Sequence, residues 1–85
     1  MYNMSDCLYA AKILNIEFKK FTPKEFLSGI NIELEHGLVN PETNVTNDDL
    51  IITAKIALAH LNEFPNYYNE KYGLLAFEKF LKTKL

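Results

Sequence analysis

The sequence contains no arginine, and its nine lysines are outnumbered by eleven carboxylates, which gives a formal net charge of -2. Arginine is the side chain best suited to bidentate contacts with phosphates and bases. The lysines are also interleaved with carboxylates, so they form no strong basic stripe. We therefore expect no nucleic-acid partner.

Other absences narrow the class of protein further. Cys7 is the only cysteine, so no internal disulfide forms, and its place on an apolar helical face favours a core residue over a nucleophile. No apolar run approaches the roughly 20 residues of a membrane span, and no signal-peptide pattern is found. The three glycines are isolated and form no phosphate-binding loop. We expect a cytoplasmic protein with no membrane partner and predict no catalytic residue, so the sequence leans away from an enzyme.

What the sequence does contain is enough apolar material for one core. Apolar residues make up 48% of the 85 residues and aromatic residues 13%. A chain of this length builds a single hydrophobic core. We expect one helical domain over residues 1–85.

The periodicity of the apolar residues predicts an all-α fold, a compact bundle of four to five short helices. Helix one is expected at about 6–15 with Ser5-Asp6 as its cap, followed by a connector at 16–21. Helix two is expected to begin at the capping box Thr22-Pro23-Lys24-Glu25 and to end after His36, with Gly37 in the left-handed conformation. Gly29, inside this helix, predicts a close approach by another element.

The second half of the chain is predicted to be helical after a long loop at 38–46. Helix three is expected from about residue 47, capped by Thr46, up to the break that Pro65 imposes. Residues 66–83 are predicted to be helical, with an interruption at Gly73 as the alternative. Leu74, Phe77 and Leu81 form an apolar stripe that we expect to be covered by the protein's own core or across a homodimer.

Two pairs of polar residues at one-turn spacing are the candidate site. Glu33 and His36 lie three positions apart on helix two, and His60 and Glu63 repeat the spacing on helix three. Imidazole and carboxylate groups together suit zinc, manganese or iron. With Glu35, these residues form a candidate site for one divalent metal ion, provided that the two helices cross so that His36 and His60 approach each other.

Two other interpretations stay open. In the first, the protein is a non-enzymatic interaction or structural module: His36 caps a helix, and His60 is half-buried and bonded to Glu63 or a tyrosine. Tyr67, Tyr68 and Phe77 then contact a protein partner. In the second, a metal-bound water performs hydrolysis.

Four segments of the chain carry a resemblance. They are residues 33–37, 41–43, 46–49 and 56–68, and two of them contain the patterns E-L-E-H-G and A-H-L-x-E-x-P-x-Y-Y. Together they resemble a family of short uncharacterised bacterial and phage proteins, over roughly residues 18–70. The resemblance implies a domain of unknown function and no particular activity.

Overall fold

Four α-helices and one short 3₁₀ helix make up the fold. The computed structural model describes residues 1–39, 41–44, 49–69, 71 and 73–84. The helices are α1 (Met4–Ile13), α2 (Pro23–Val39), the 3₁₀ helix (Pro41–Thr43), α3 (Leu50–Glu63) and α4 (Leu74–Lys82). No strand occurs among the described residues, which confirms the predicted all-α class.

Helix α2 begins as its sequence predicts. The Glu25 amide donates to Thr22 Oγ1 at 3.1 Å, and the Thr22 amide donates to Glu25 Oε1 at 3.2 Å. This reciprocal capping box satisfies two amide groups that the first turn of a helix leaves without an intrahelical partner. The predicted start of helix two is confirmed.

Helix α1 begins earlier than predicted. Its N-cap is Asn3, whose side chain accepts from the Asp6 amide at 2.9 Å, while Asp6 Oδ2 accepts from the Asn3 amide at 3.0 Å. Asp6 is therefore the inner partner of a capping box instead of the cap. The predicted 6–15 becomes Met4–Ile13, and Asn15 has a left-handed φ of 56° that the helix cannot contain.

The N-terminus of α3 differs from the prediction in the same way. Asp49 is the N-cap, and its side chain accepts from the Ile52 amide at 2.9 Å. The helix thus begins at Leu50 instead of about residue 47. The predicted cap Thr46 lies outside the described residues.

Gly37 does not end α2, contrary to the prediction. The helix continues to Val39, and Gly37 is buried inside it with no left-handed conformation. A Cβ at this position would lie 2.9 Å from Asn44 Oδ1, so the absence of a side chain lets the segment after the 3₁₀ helix approach α2. The glycine serves packing instead of chain reversal.

Helices α1, α2 and α3 pack on one another around a single core. Its buried apolar members are Cys7, Ala10, Ala11, Phe21, Phe26, Ile30, Ala54, Ala57, Leu61 and Tyr68. The alanines of α1 and α3 allow close helix contacts, and the connector supplies Phe21, whose ring lies 6.1 Å from that of Phe26. Burial of these residues provides the main stabilisation of the fold.

Helix α4 is arranged differently from the first three. Residues 65–68 form turns, so the helix predicted over 66–83 is confined to Leu74–Lys82, with Gly73 as its N-cap. No Cα atom of α4 lies within 8 Å of another described helix, and α4 contains no buried residue. Leu74 packs on the edge of the core, whereas Phe77 and Leu81 are 58% and 46% exposed. The described core therefore covers only the Leu74 end of the apolar stripe and leaves Phe77 and Leu81 exposed.

No described helix is long and apolar enough to cross a membrane.

Candidate functional site

Tyr68 is the residue around which the candidate site is built. It lies in the turn after α3, where Pro65 prevents the helix from continuing, and its ring is only 3% exposed. The ring lies against Gly29 of α2: a Cβ at position 29 would be 2.5 Å from Tyr68 Cε2. This contact is the close approach that Gly29 predicts, and it directs the phenol between α2 and α3.

The Tyr68 hydroxyl connects the two helices through a hydrogen-bonded network. It donates to Glu33 Oε1 at 2.7 Å and lies 2.8 Å from His60 Nδ1. His60 Nδ1 is also 3.3 Å from Glu33 Oε1. The Glu33–Tyr68–His60 network thus joins α2, α3 and the following turn at one point.

Burial keeps the phenol of Tyr68 in its neutral form. Desolvation raises the pKa of Tyr68 far above its ordinary value, and the hydrogen bond to the Glu33 carboxylate and its negative charge raise this pKa further. Because the only hydroxyl hydrogen is donated to Glu33, the phenol oxygen acts as an acceptor toward His60. This assigns a hydrogen to His60 Nδ1 and leaves the lone pair of the neutral imidazole on Nε2.

Two aromatic contacts fix the His60 imidazole. The Tyr67 ring stacks on it with centroids 4.3 Å apart and planes 16° from parallel, and the Tyr68 ring meets it edge-on at 6.1 Å. The His60 side chain remains 33% exposed. This is the half-buried, tyrosine-bonded histidine that the non-enzymatic interpretation of the sequence predicts.

His36 approaches the same carboxylate from the other side. Its Nδ1 is 3.8 Å from Glu33 Oε2, and its Nε2 is 3.9 Å from Glu78 Oε1 of α4. The side chain of His36 is half exposed. These contacts replace the helix-capping role that the sequence suggested, and they connect α4 to α2 electrostatically when the imidazole is protonated.

The structure brings together three of the five predicted metal ligands. Both imidazoles, His36 and His60, contact the Glu33 carboxylate. Glu35 and Glu63 are exposed, and neither makes a hydrogen bond or ion pair with a described member of the network. Within the described part of the chain, no group of three or more His, Cys, Asp or Glu side chains is arranged to hold a metal ion.

Two members of this site were not predicted. The sequence predicts Tyr68 at a partner surface and leaves the tyrosine that bonds to His60 unspecified, because adjacent aromatic residues do not show which ring points inward. Glu78 is not among the predicted site residues, because pairing between helices α2 and α4 has no signal in local spacing. The one usable signal was Gly29, whose place in a helix predicts a close neighbour.

An apolar groove lies beside the network. It has a volume of about 670 Å³ and is lined by Phe64, Pro65, Asn66, Tyr67, Gly73, Leu74 and Phe77. Phe64 and Phe77 are 57% and 58% exposed, and Tyr67 is half-buried between this groove and His60. Of the three aromatic residues predicted to meet a partner, Tyr67 and Phe77 line the groove, whereas Tyr68 is buried beneath it.

The chain belongs to a family described as "Protein of unknown function (DUF5661)", whose family model matches residues 8–74. The match includes α2, α3, the network residues Glu33, His60 and Tyr68, and the first residue of α4. No curated protein and no solved structure gives a significant match.

Proposed function

We propose that the protein is a non-enzymatic protein-interaction module, with the Glu33–Tyr68–His60 network as structural support and the apolar groove as the binding surface. The observation that carries this proposal is the exposure of Phe64 and Phe77 on either side of a groove next to a fully bonded network. Apolar side chains that are exposed as a contiguous patch are typical of sites for protein partners.

The network has the properties of a structural element. The buried phenol is neutral and bonded, and no buried side-chain nitrogen or oxygen atom of the described residues lacks a hydrogen-bond partner. A polar network that is fully satisfied fixes the packing of the elements it joins. Here it holds the 64–68 turn, which forms one wall of the groove, against α2 and α3.

The groove fits a protein segment because its two walls are aromatic and belong to different elements. The turn supplies Phe64 and Tyr67, and α4 supplies Phe77. Large aromatic side chains are enriched at the centre of protein interfaces, where they supply contact area at low cost in side-chain entropy. An amphipathic helix or extended segment with two or three apolar side chains matches a groove of this size.

Selection from a displayed random-peptide library tests this function. We expect the selected peptides to converge on a sequence pattern and to lose about tenfold or more in affinity for Phe77→Ala. Tyr9→Ala is the matched control, because Tyr9 lies on α1 with the same 58% exposure as Phe77. Failure to select convergent peptides, or equal losses for the two variants, would overturn the proposal.

Divalent-metal binding is the second candidate, favoured by the position of Glu33 between two imidazoles. A metal ion shared by Glu33 and His60 would have to displace Tyr68 from His60 Nδ1. We therefore expect no rise in melting temperature when zinc or manganese is added. A rise that His60→Ala abolishes would instead support the metal site, because a ligand that binds only the folded state stabilises it.

A further inference from the structure

The charge around the groove indicates which kind of segment it binds. Glu63 immediately precedes the groove residue Phe64 in sequence, and Glu78 immediately follows Phe77. Glu33 lies behind Tyr67, since its carboxylate is 3.3 Å from the imidazole on which the Tyr67 ring stacks. Both walls of the groove are thus adjacent to carboxylates.

These carboxylates give the groove an excess of negative charge while the nearby histidines are neutral. Three carboxylates outnumber the two imidazoles, so protonation of both His36 and His60 reduces this excess without reversing it. Desolvation raises the pKa of Tyr67, and the charges of Glu33, Glu78 and Glu63 raise it further. The direction of these effects agrees with a negative potential at the groove wall.

The described lysines near the groove do not cancel this charge. Lys79 and Lys82 lie two and five residues after Phe77, which places them about 160° and 140° away from it around the helix at 100° per residue. Lys84 lies over the Phe80 ring, with its ammonium 5.2 Å from the centroid. Lys71 is exposed in the turn before Gly73, and its single ammonium leaves the three carboxylates in excess when both imidazoles are neutral.

We propose that the groove binds a basic apolar segment of another protein, in which a lysine or arginine side chain accompanies the apolar residues that fill it. The inference rests on the proposed interaction function and adds the chemistry of the partner. The aromatic rings of Phe64, Tyr67 and Phe77 receive the apolar stem of the cationic side chain and offer faces for cation–π contact. Glu63 and Glu78 attract its charge.

A second copy of the chain is a poorer occupant. A two-fold symmetric dimer through α4 brings the same surface of both copies together. The carboxylates beside the groove, Glu63 and Glu78, would then lie near those of the other copy, and like charges in an interface oppose association. We therefore expect a monomer at concentrations where the partner segment binds.

Binding of three labelled peptides, measured by fluorescence anisotropy, tests the inference. The peptides share leucine and phenylalanine positions and differ only at the remaining positions, which carry lysine, glutamine or glutamate. We expect the lysine peptide to bind about tenfold or more tightly than the glutamine peptide. Added salt should weaken binding of the lysine peptide, because it screens the attraction between charges. We expect the glutamate peptide to be the weakest.

Variants of the protein locate the charge effect. The double substitution Glu63→Gln and Glu78→Gln should reduce the preference for the lysine peptide by about fivefold or more, since each interfacial charge contributes to complementarity. Lys79→Gln and Glu35→Gln are the controls. Lys79→Gln removes a charge from the side of α4 that faces away from Phe77, and Glu35→Gln removes a charge from an exposed position on α2. Circular dichroism checks that all variants remain folded.

The outcomes separate the two proposals. Equal binding of the lysine and glutamine peptides, with loss in Phe77→Ala, retains the interaction function and overturns the preference for a basic partner. Binding of no peptide overturns both. A dimer in sedimentation that Phe77→Ala dissociates overturns the basic partner in favour of a second copy.

Discussion

Helices α2 and α4 contain the same kinds of apolar residue but differ in what those residues contact. Phe26 of α2 is fully buried in the core, whereas Phe77 of α4 is 58% exposed. Polar side chains of α2 and its N-terminus are also held by hydrogen bonds, in the capping box of Thr22 and in the Glu33–Tyr68–His60 network. An apolar stripe at helical spacing therefore predicts a helix but not the surface that covers it.

The largest effect should come from removing a core side chain. Phe26→Ala should reduce the free energy of unfolding by about 3–5 kcal/mol, because it removes apolar contacts and leaves a cavity among α1, α2 and the connector. Urea denaturation followed by circular dichroism measures this change. A loss below about 1 kcal/mol would mean that the core collapses easily around position 26.

A second prediction concerns the network that supports the groove. Tyr68→Phe should cost about 1–3 kcal/mol, because the ring still packs on Gly29 while Glu33 loses a hydrogen-bond donor in a partly buried position. Tyr67→Phe is the control, since its hydroxyl makes no hydrogen bond with a described residue and its ring still stacks on His60. Equal denaturation midpoints for the two variants would contradict the structural role of the Tyr68 hydroxyl.

Local signals in the sequence predict a large part of this fold. The capping box at Thr22 determines where α2 begins, and the stripe containing Ala54, Ala57 and Leu61 is buried as its spacing indicates. Such features depend on residues within one or two turns of each other. They can therefore be recognised without knowledge of the tertiary structure.

The predicted end of α2 and the predicted start of the last helix both differ from the structure, and the two differences have a common physical cause. A glycine after His36 predicts the end of the helix. In the structure Gly37 lies inside α2, where its lack of a side chain leaves room for Asn44. Residues 66–68, predicted to be helical, form turns instead, because contacts of Tyr68 with Gly29 and Glu33 hold them against the core. Both outcomes depend on residues distant in sequence, and these contacts override local propensity.

The candidate site was predicted in part for the same reason. Spacing along one helix identifies Glu33 with His36, and His60 with Glu63, as neighbours. The structure replaces Glu63 with Tyr68 beside His60 and brings Glu78 to His36. These partners come from separate elements, so only the tertiary arrangement reveals them.

A third prediction concerns the start of α2. Thr22→Ala should cost about 1 kcal/mol, because the Glu25 amide loses its side-chain acceptor while the rest of the helix remains packed. Thr22→Ser should restore most of the loss, since serine also accepts this hydrogen bond. A denaturation midpoint for Thr22→Ala equal to that of the unchanged protein would show that the capping box contributes nothing to stability.

The smallest effect on stability should come from a substitution in the exposed helix α4. Phe77→Ala should change the free energy of unfolding by less than about 0.5 kcal/mol, because substitutions at exposed positions remove few contacts from the folded state. The same substitution should nevertheless weaken peptide binding more than substitution of any exposed apolar residue of α1 by alanine. Measuring both quantities on one preparation separates a binding residue from a core residue. If Phe77→Ala instead costs as much as Phe26→Ala, then α4 packs on the core in solution, its apolar stripe is covered by the protein itself, and the groove is not a free surface.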